Sequence, residues 1–383
     1  MMSFALGSTA ISRMKLAMCW LVWDCLFRMR FGCCWFASRQ TRPSHLISIE
    51  HSPTLKSKSL EGLPEENQEK YSTGLKRMDR IQQLNYEKDF RIAFLEIKGD
   101  GFQRLFERLM SKAHPNDFMA CRPWGKVGDR KNDGYLPSAR ILFQSYAPNE
   151  LSAAEAIKKI NEDFEGAKDH WEQHFDEWTF VHNAPDGRLG PHIIEALAKL
   201  RQDNPQIRIG HCGYEEMLAK FRQLSLQDLE SWFGPSLTME ANVNLGYSDL
   251  MAVLSHISVT PVPTTSEVKD VSRGKIEANL LSQAVADFLK IGMQKSPLVA
   301  QFFNNWKNPT YGEQIAQTFK REYIALRDSA PLLHPDEIFG RLEAWAGGSA
   351  NTTPTHKAAV LAVMAYLFDK CEIFEDAQTV GTA

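Results

Sequence analysis

The chain contains no GxxxxGK[ST] loop, no GxGxxG opening a helix, no GxSxG elbow and no HExxH pair. Acting alone, it therefore lacks the phosphate cradle of an ATPase, the dinucleotide fingerprint, the serine-hydrolase nucleophile turn and the zincin helix. Cysteine is sparse: seven residues, with Cys19, Cys25, Cys33 and Cys34 near the start and Cys121, Cys212 and Cys371 far apart. This pattern offers neither a disulfide framework nor paired zinc ligands, and it fits a reducing, cytoplasmic setting. Long apolar runs are also missing. Residues 16–23 are apolar, but Asp24, Arg28 and Arg30 follow, well short of the ~20 residues a spanning helix needs, so no stable membrane insertion is expected. No small-residue cleavage site follows that run. Positive charge is not in excess: 44 Lys and Arg against 47 Asp and Glu give −3. Any contact with nucleic acid must come from a local patch.

What remains is an ordinary globular composition, 43% hydrophobic and 24% charged over 383 residues, enough for two domains. Residues 1–77 lack sustained periodicity and are polar from residue 40 onward. They are expected to be a poorly structured extension, with translation starting at Met78, a membrane anchor or targeting tail being the alternative. Beyond it, Phe102, Leu105, Phe106, Leu109 and Met110 recur at helical spacing. Residues 118–121 and 139–145 then suggest strands on either side of the Gly-Asp-Arg-Lys-Asn-Asp-Gly loop at residues 128–134. Ser152 and Glu155 form a capping-box signature before a helix carrying Ala156, Ile160, Phe164 and Ala167. A strand at 178–182, a helix at 191–200 with Pro191 in its first turn, and a strand at 207–211 complete the series. The order predicts a mixed α/β sheet with flanking helices over residues 78–257. Residues 258–268 are rich in proline and threonine and are expected to be a linker. Residues 269–376 carry only helical patterns, with Thr353 as N-cap and Pro354 at the first position of the last helix.

Chemistry concentrates in the α/β part. Hydrolysis of a phosphodiester near neutral pH calls for a divalent metal with oxygen ligands, and Mg²⁺ suits such a set. Glu107 on the first helix, Asp133 at the turn entering the sheet and Gln144 near the end of the next strand are the oxygen donors that could meet at one ion. Arg122, Lys126, Arg130 and Arg140, with Lys131, surround them, and Trp124 and Tyr135 could stack on bases. His182, His211 and Cys212 at strand ends read as structural rather than as metal ligands.

Phe106-Glu107, the Gly-Asp-x-x-x-Asp-Gly loop and an apolar strand ending in Gln144 resemble the Mrr-like branch of the PD-(D/E)XK superfamily over roughly residues 100–215. The resemblance implies a restriction-endonuclease-like fold and metal-dependent cleavage of DNA. It assigns Glu107, Asp133 and Gln144 as metal ligands, with Gln103 a rival for the helix position. Tyr146 stands where that branch carries its lysine. A phenol with a pKa near 10 supplies no positive charge, so three readings stay open: Lys131 takes the role, Lys158 takes it, or the fold has become a binding adaptor for nucleic acid or a partner protein. Residues 358–375, closing with Cys371-Glu372-Ile373-Phe374-Glu375, resemble the C-terminal domains of ABC-three component systems. That implies a prokaryotic antiviral effector joined to a helical assembly domain, with a partner ATPase and other subunits on separate chains and the oligomeric state open.

Overall fold

The computed structural model describes residues 78–121, 130–185, 187–257, 274–348, 352–370 and 373–375. The chain divides into two units, Met1–Lys76 and Arg77–Ala383, and the described residues all belong to the second. The expected linker and the segment carrying Arg122, Trp124, Lys126, Gly128 and Asp129 lie outside the described residues.

The first helix, α1 (Arg80–Glu96), opens with a capping box in which Asp79 accepts from the Gln82 N–H and Gln82 accepts from the Asp79 N–H. Each satisfies a donor that the first helical turn leaves free. After Gly99, α2 (Asp100–Ala113) buries Phe102, Leu105, Phe106, Leu109 and Met110 along one stripe, as the spacing predicts. Strands β1 (Met119–Ala120), β2 (Gly134–Leu136) and β3 (Ile141–Tyr146) form an antiparallel meander. Helix α3 (Ala153–Trp171) crosses to β4 (Glu177–His182), and α4 (Pro191–Asp203) crosses to β5 (Arg208–Cys212). β3, β4 and β5 run parallel, and the sheet order is β1-β2-β3-β4-β5.

Strand alternation sorts the sheet into two faces. Leu136, Phe143, Val181 and Cys212 share an apolar cluster with α1 and α2. Leu142, Trp178, Phe180 and Ile209 share another with α3 and α4. Helices α5 (Tyr214–Phe221) and α6 (Leu226–Phe233) follow β5, and Phe221 stacks on Phe90 of α1 with ring centroids 4.3 Å apart.

The helical part is built from α7 (Met239–Val243), α8 (Tyr247–Leu254), α9 (Lys275–Ala278), α10 (Gln283–Met293), α11 (Ser296–Asn304), α12 (Tyr311–Arg327), α13 (Pro335–Trp345) and α14 (Pro354–Asp369). Helix α14 is its axis: Ala358 through Ala365 are all buried. A helix apolar on every side has to be enclosed by others. Gly292 lets α10 approach it, since a Cβ there would meet Ala365 Cβ at 2.7 Å. Leu237, Ala241, Leu245, Leu250 and Leu254, upstream of residues 258–268, join the same cluster as the C-terminal helices, and so does Ile81 of α1.

Helix α1 thus packs on both parts. It touches α5 and α6 on one side and α7, α10 and α13 on the other. Two buried charge pairs fix it to α13: Lys88 Nζ with the Glu343 carboxylate, and Arg91 Nε with Asp336 Oδ2 at 3.2 Å. Gly340 of α13 makes room for the side chain of Ile92, which a Cβ would approach to 2.7 Å.

Candidate functional site

Asp133 immediately precedes β2, and its backbone N–H donates to the Phe143 carbonyl at 3.0 Å. Its carboxylate Oδ2 accepts from the Ser145 N–H at 2.7 Å. The side chain thereby extends the β2–β3 ladder past its last backbone pair, satisfying a donor that would otherwise be unpaired. Asp133 and Gln144 are each 4% exposed. The register pairs Gly134 with Phe143, and the Asp133 carboxylate reaches the N–H of Ser145, the residue after Gln144, so these two predicted residues lie close together on the β2–β3 pair. Asn132 Oδ1, Gln144 Oε1 and Ser145 Oγ are buried there without a hydrogen-bond partner among the described residues. Each such atom costs about 1–3 kcal/mol when left unsatisfied.

Glu107 is placed differently. It accepts from Gln103 Nε2 at 2.9 Å on α2, the helix that covers the Phe143 face of β3. Gln144 alternates with Phe143 and shares the opposite face with Leu142 and Tyr146. The strand backbone therefore lies between α2 and the Gln144 amide, and the expected three-oxygen set does not share one face of the sheet. Two of its members, Asp133 and Gln144, suit a hard cation; the full set does not assemble as the sequence suggested. Among the described residues, no group of three or more His, Cys, Asp or Glu side chains is arranged to hold a metal ion.

At the position where the resemblance calls for lysine, the Tyr146 ring sits beside Phe180, centroids 6.3 Å apart. Burial, helped by Glu155, raises the pKa of its hydroxyl above the usual tyrosine value, so the phenol is neutral. Lys131 has a left-handed backbone (φ 61°) and places Nζ 2.9 Å from Asp163 Oδ1 on α3. Lys159 reaches the same oxygen at 2.9 Å. Gly166 gives the Lys131 stem its place against α3, since a Cβ there would lie 2.7 Å from Lys131 Cγ. Lys158 is exposed and faces Glu162 at 3.8 Å.

Of the basic patch, Arg130 is exposed, and its carbonyl accepts from Trp171 Nε1 at 3.2 Å. Trp171 lies beside Tyr135, centroids 6.4 Å apart, and the Tyr135 hydroxyl donates to the His174 carbonyl at 2.6 Å. Arg140 is engaged locally with Asp176 at 2.9 Å and with the Gln173 carbonyl at 2.8 Å. It fastens the β2–β3 turn to the segment before β4.

Asp163, the acid between Lys131 and Lys159, is not among the residues expected from the sequence. The signal was available in part: Lys159 and Asp163 are one helical turn apart. His182 is fully buried. Its Nδ1 accepts from the Ala184 N–H at 3.3 Å, while Nε2 has no partner among the described residues. Burial, reinforced by His211, lowers its pKa to about 4, so the ring is neutral near pH 7.

Residues 248–375 match the family model for C-terminal domain 10 of the ABC-three component (ABC-3C) systems. This links the helical part of the chain to those systems. No curated protein and no solved structure matches the chain. No helix among the described residues is long and apolar enough to cross a membrane.

Proposed function

We propose that the chain is a subunit of an ABC-three component antiviral system and that its α/β part is a restriction-endonuclease-like scaffold that holds nucleic acid without cutting it. The observation carrying this reading is Tyr146: the position that would present a lysine to the scissile phosphate holds a neutral phenol packed beside Phe180. Phosphodiester cleavage needs positive charge where negative charge develops in the transition state. Here the Lys131 ammonium is set against Asp163, and the Asp133 carboxylate serves the sheet through Ser145. The sequence of elements, a helix, a three-stranded meander, a crossover helix and a parallel strand, is consistent with such a scaffold.

In this reading Arg130, with Trp171 and Tyr135 beside it, forms the contact surface, the arginine for phosphate and the rings for stacking. The helical part attaches the subunit to its partners. The nucleotide-binding motif missing here belongs to an ATPase on another chain. Nucleic acid is then a recognised ligand, and the response it triggers lies with the assembled complex.

A second reading, a Mg²⁺-dependent endonuclease, draws support from one observation: Gln144 Oε1 is buried and unpartnered among the described residues, and the next residue, Ser145, donates its N–H to the Asp133 carboxylate. Incubation of supercoiled plasmid with the purified chain and Mg²⁺ separates the two. A non-cleaving scaffold leaves the plasmid intact while retarding it in a gel. Nicking that is abolished by Asp133→Ala and by Lys131→Ala would establish the endonuclease instead.

A further inference from the structure

A groove of about 600 Å³ opens where the loops following β4 and β5 meet α1 and the start of α10. Arg188 comes from the loop after β4, and Tyr214 is the first residue of the helix after β5. The groove therefore stands beyond the carboxyl ends of two adjacent parallel strands. Its size falls within the range of small-molecule sites. Its other side is formed by the helical part, through Ser282 and Asp287.

Four arginines line it: Arg80, Arg91, Arg188 and Arg222. Two are structurally committed. Arg222 grips Glu87 with both Nε (2.9 Å) and Nη2 (2.8 Å), and Arg91 pairs with Asp336 while lying 4.6 Å above the Tyr214 ring. Arg80 and Arg188 are exposed and make no ion pair or hydrogen bond among the described residues. Two further acids face the groove. Asp287 is already met by Gln283 Nε2 (2.7 Å) and Lys290 Nζ (3.2 Å); among the described residues the exposed Glu215, and Glu87, whose carboxyl pKa Arg80 helps to lower, are the counterweights to the Arg80 and Arg188 guanidiniums. Arg91 and Arg222 are held in the lining by their acids.

We propose that this groove binds a nucleoside polyphosphate, with Arg80 and Arg188 clasping the phosphate chain from opposite sides. Guanidinium forks match phosphate oxygens bidentately, and a rigid floor reduces the ordering cost of binding. The Tyr214 ring already carries Arg91 on its face, so the recognised feature is the phosphate chain rather than a stacked base. Because the walls come from the α/β part, from α1 and from the ABC-three component-type helices, occupancy couples their positions. This site is independent of the nucleic-acid surface at Arg130 and stands or falls separately from it.

Isothermal titration of the full chain with ATP, AMP and inorganic tripolyphosphate tests this. ATP should bind and raise Tm, AMP should bind at least tenfold more weakly, and Arg80→Gln/Arg188→Gln should lose at least tenfold in ATP affinity with an unchanged circular dichroism spectrum and melt. Tripolyphosphate binding as tightly as ATP supports recognition through the phosphate chain; ATP binding without tripolyphosphate binding overturns it. No binding of ATP or tripolyphosphate at millimolar concentration, or affinity unaltered in the double variant, overturns the assignment.

Discussion

Replacing Lys88 by methionine probes the junction on which the fold depends. Lys88 is 1% exposed and Glu343 6%, the ammonium also meets Asp89 Oδ1 at 2.9 Å, and it lies 4.6 Å above the Phe288 ring. Methionine matches the stem in volume, so the loss is electrostatic: Glu343 and Asp89 remain without their cation. Removing one partner of a buried pair costs about 3–5 kcal/mol. Lys357, itself buried, still faces Glu343, which sets the expectation near the lower end, about 3 kcal/mol. Against a total stability of about 5–15 kcal/mol, that is a large fraction. Burial already raises the Glu343 carboxyl above its usual range, with Lys88 opposing. Without Lys88 its folded pKa rises further. A raised folded pKa favours the folded state at low pH and loses that advantage as pH climbs, so the variant's deficit should be greatest near pH 8 and shrink toward pH 5. Urea unfolding followed by circular dichroism measures it. Lys88→Met/Glu343→Met, which removes both charges, should recover at least half of the loss. A Lys88→Met deficit below about 1 kcal/mol, or a double variant no better than the sum of the singles, would refute the reasoning.

Gly340→Val drives a branched side chain into Ile92, 2.7 Å from where its Cβ would lie, and should cost about 1–3 kcal/mol by overpacking; thermal melts check it. Asp133→Ala leaves the Ser145 N–H without its acceptor and should destabilise by about 1–3 kcal/mol, whereas Asp133→Asn, which keeps an accepting oxygen, should lose less than half of that in urea titration. His182, depressed from 6.5 to about 4 by burial, binds fewer protons folded than unfolded. Its contribution is full above pH ~6.5 and is lost as pH falls toward 4, about 3 kcal/mol in all at 1.36 per unit; His182→Gln should flatten that stretch of the stability profile.

The amphipathic elements were legible from residue spacing. Phe102 to Met110 on α2 and the Ala156–Phe164 stripe on α3 each bury one face, and a single buried face leaves a period in the sequence; β4, buried on both faces, shows instead as a short apolar run. Helix α1 was not legible as a helix. Lys88 and Arg91 point into the interior with Tyr86, Phe90 and Phe94, because acids 255 and 245 residues away neutralise them. No local pattern records such a partner. The candidate site divides in the same way. Asp133 and Gln144 were legible as neighbours because a short turn fixes the hairpin register. That Glu107 and Gln144 belong to different faces depends on which helix covers which side. Alternation of Leu142, Gln144 and Tyr146 groups these three together, but it does not say that α3 rather than α2 lies above them.

Whether Tyr146 leaves the fold unable to cut is read by following binding and cleavage of one labelled DNA duplex in a single reaction with Mg²⁺. The expected result is a retarded complex that weakens at least tenfold in Arg130→Glu, with the duplex recovered intact. Mg²⁺-dependent cleavage that disappears in Asp133→Ala would contradict it.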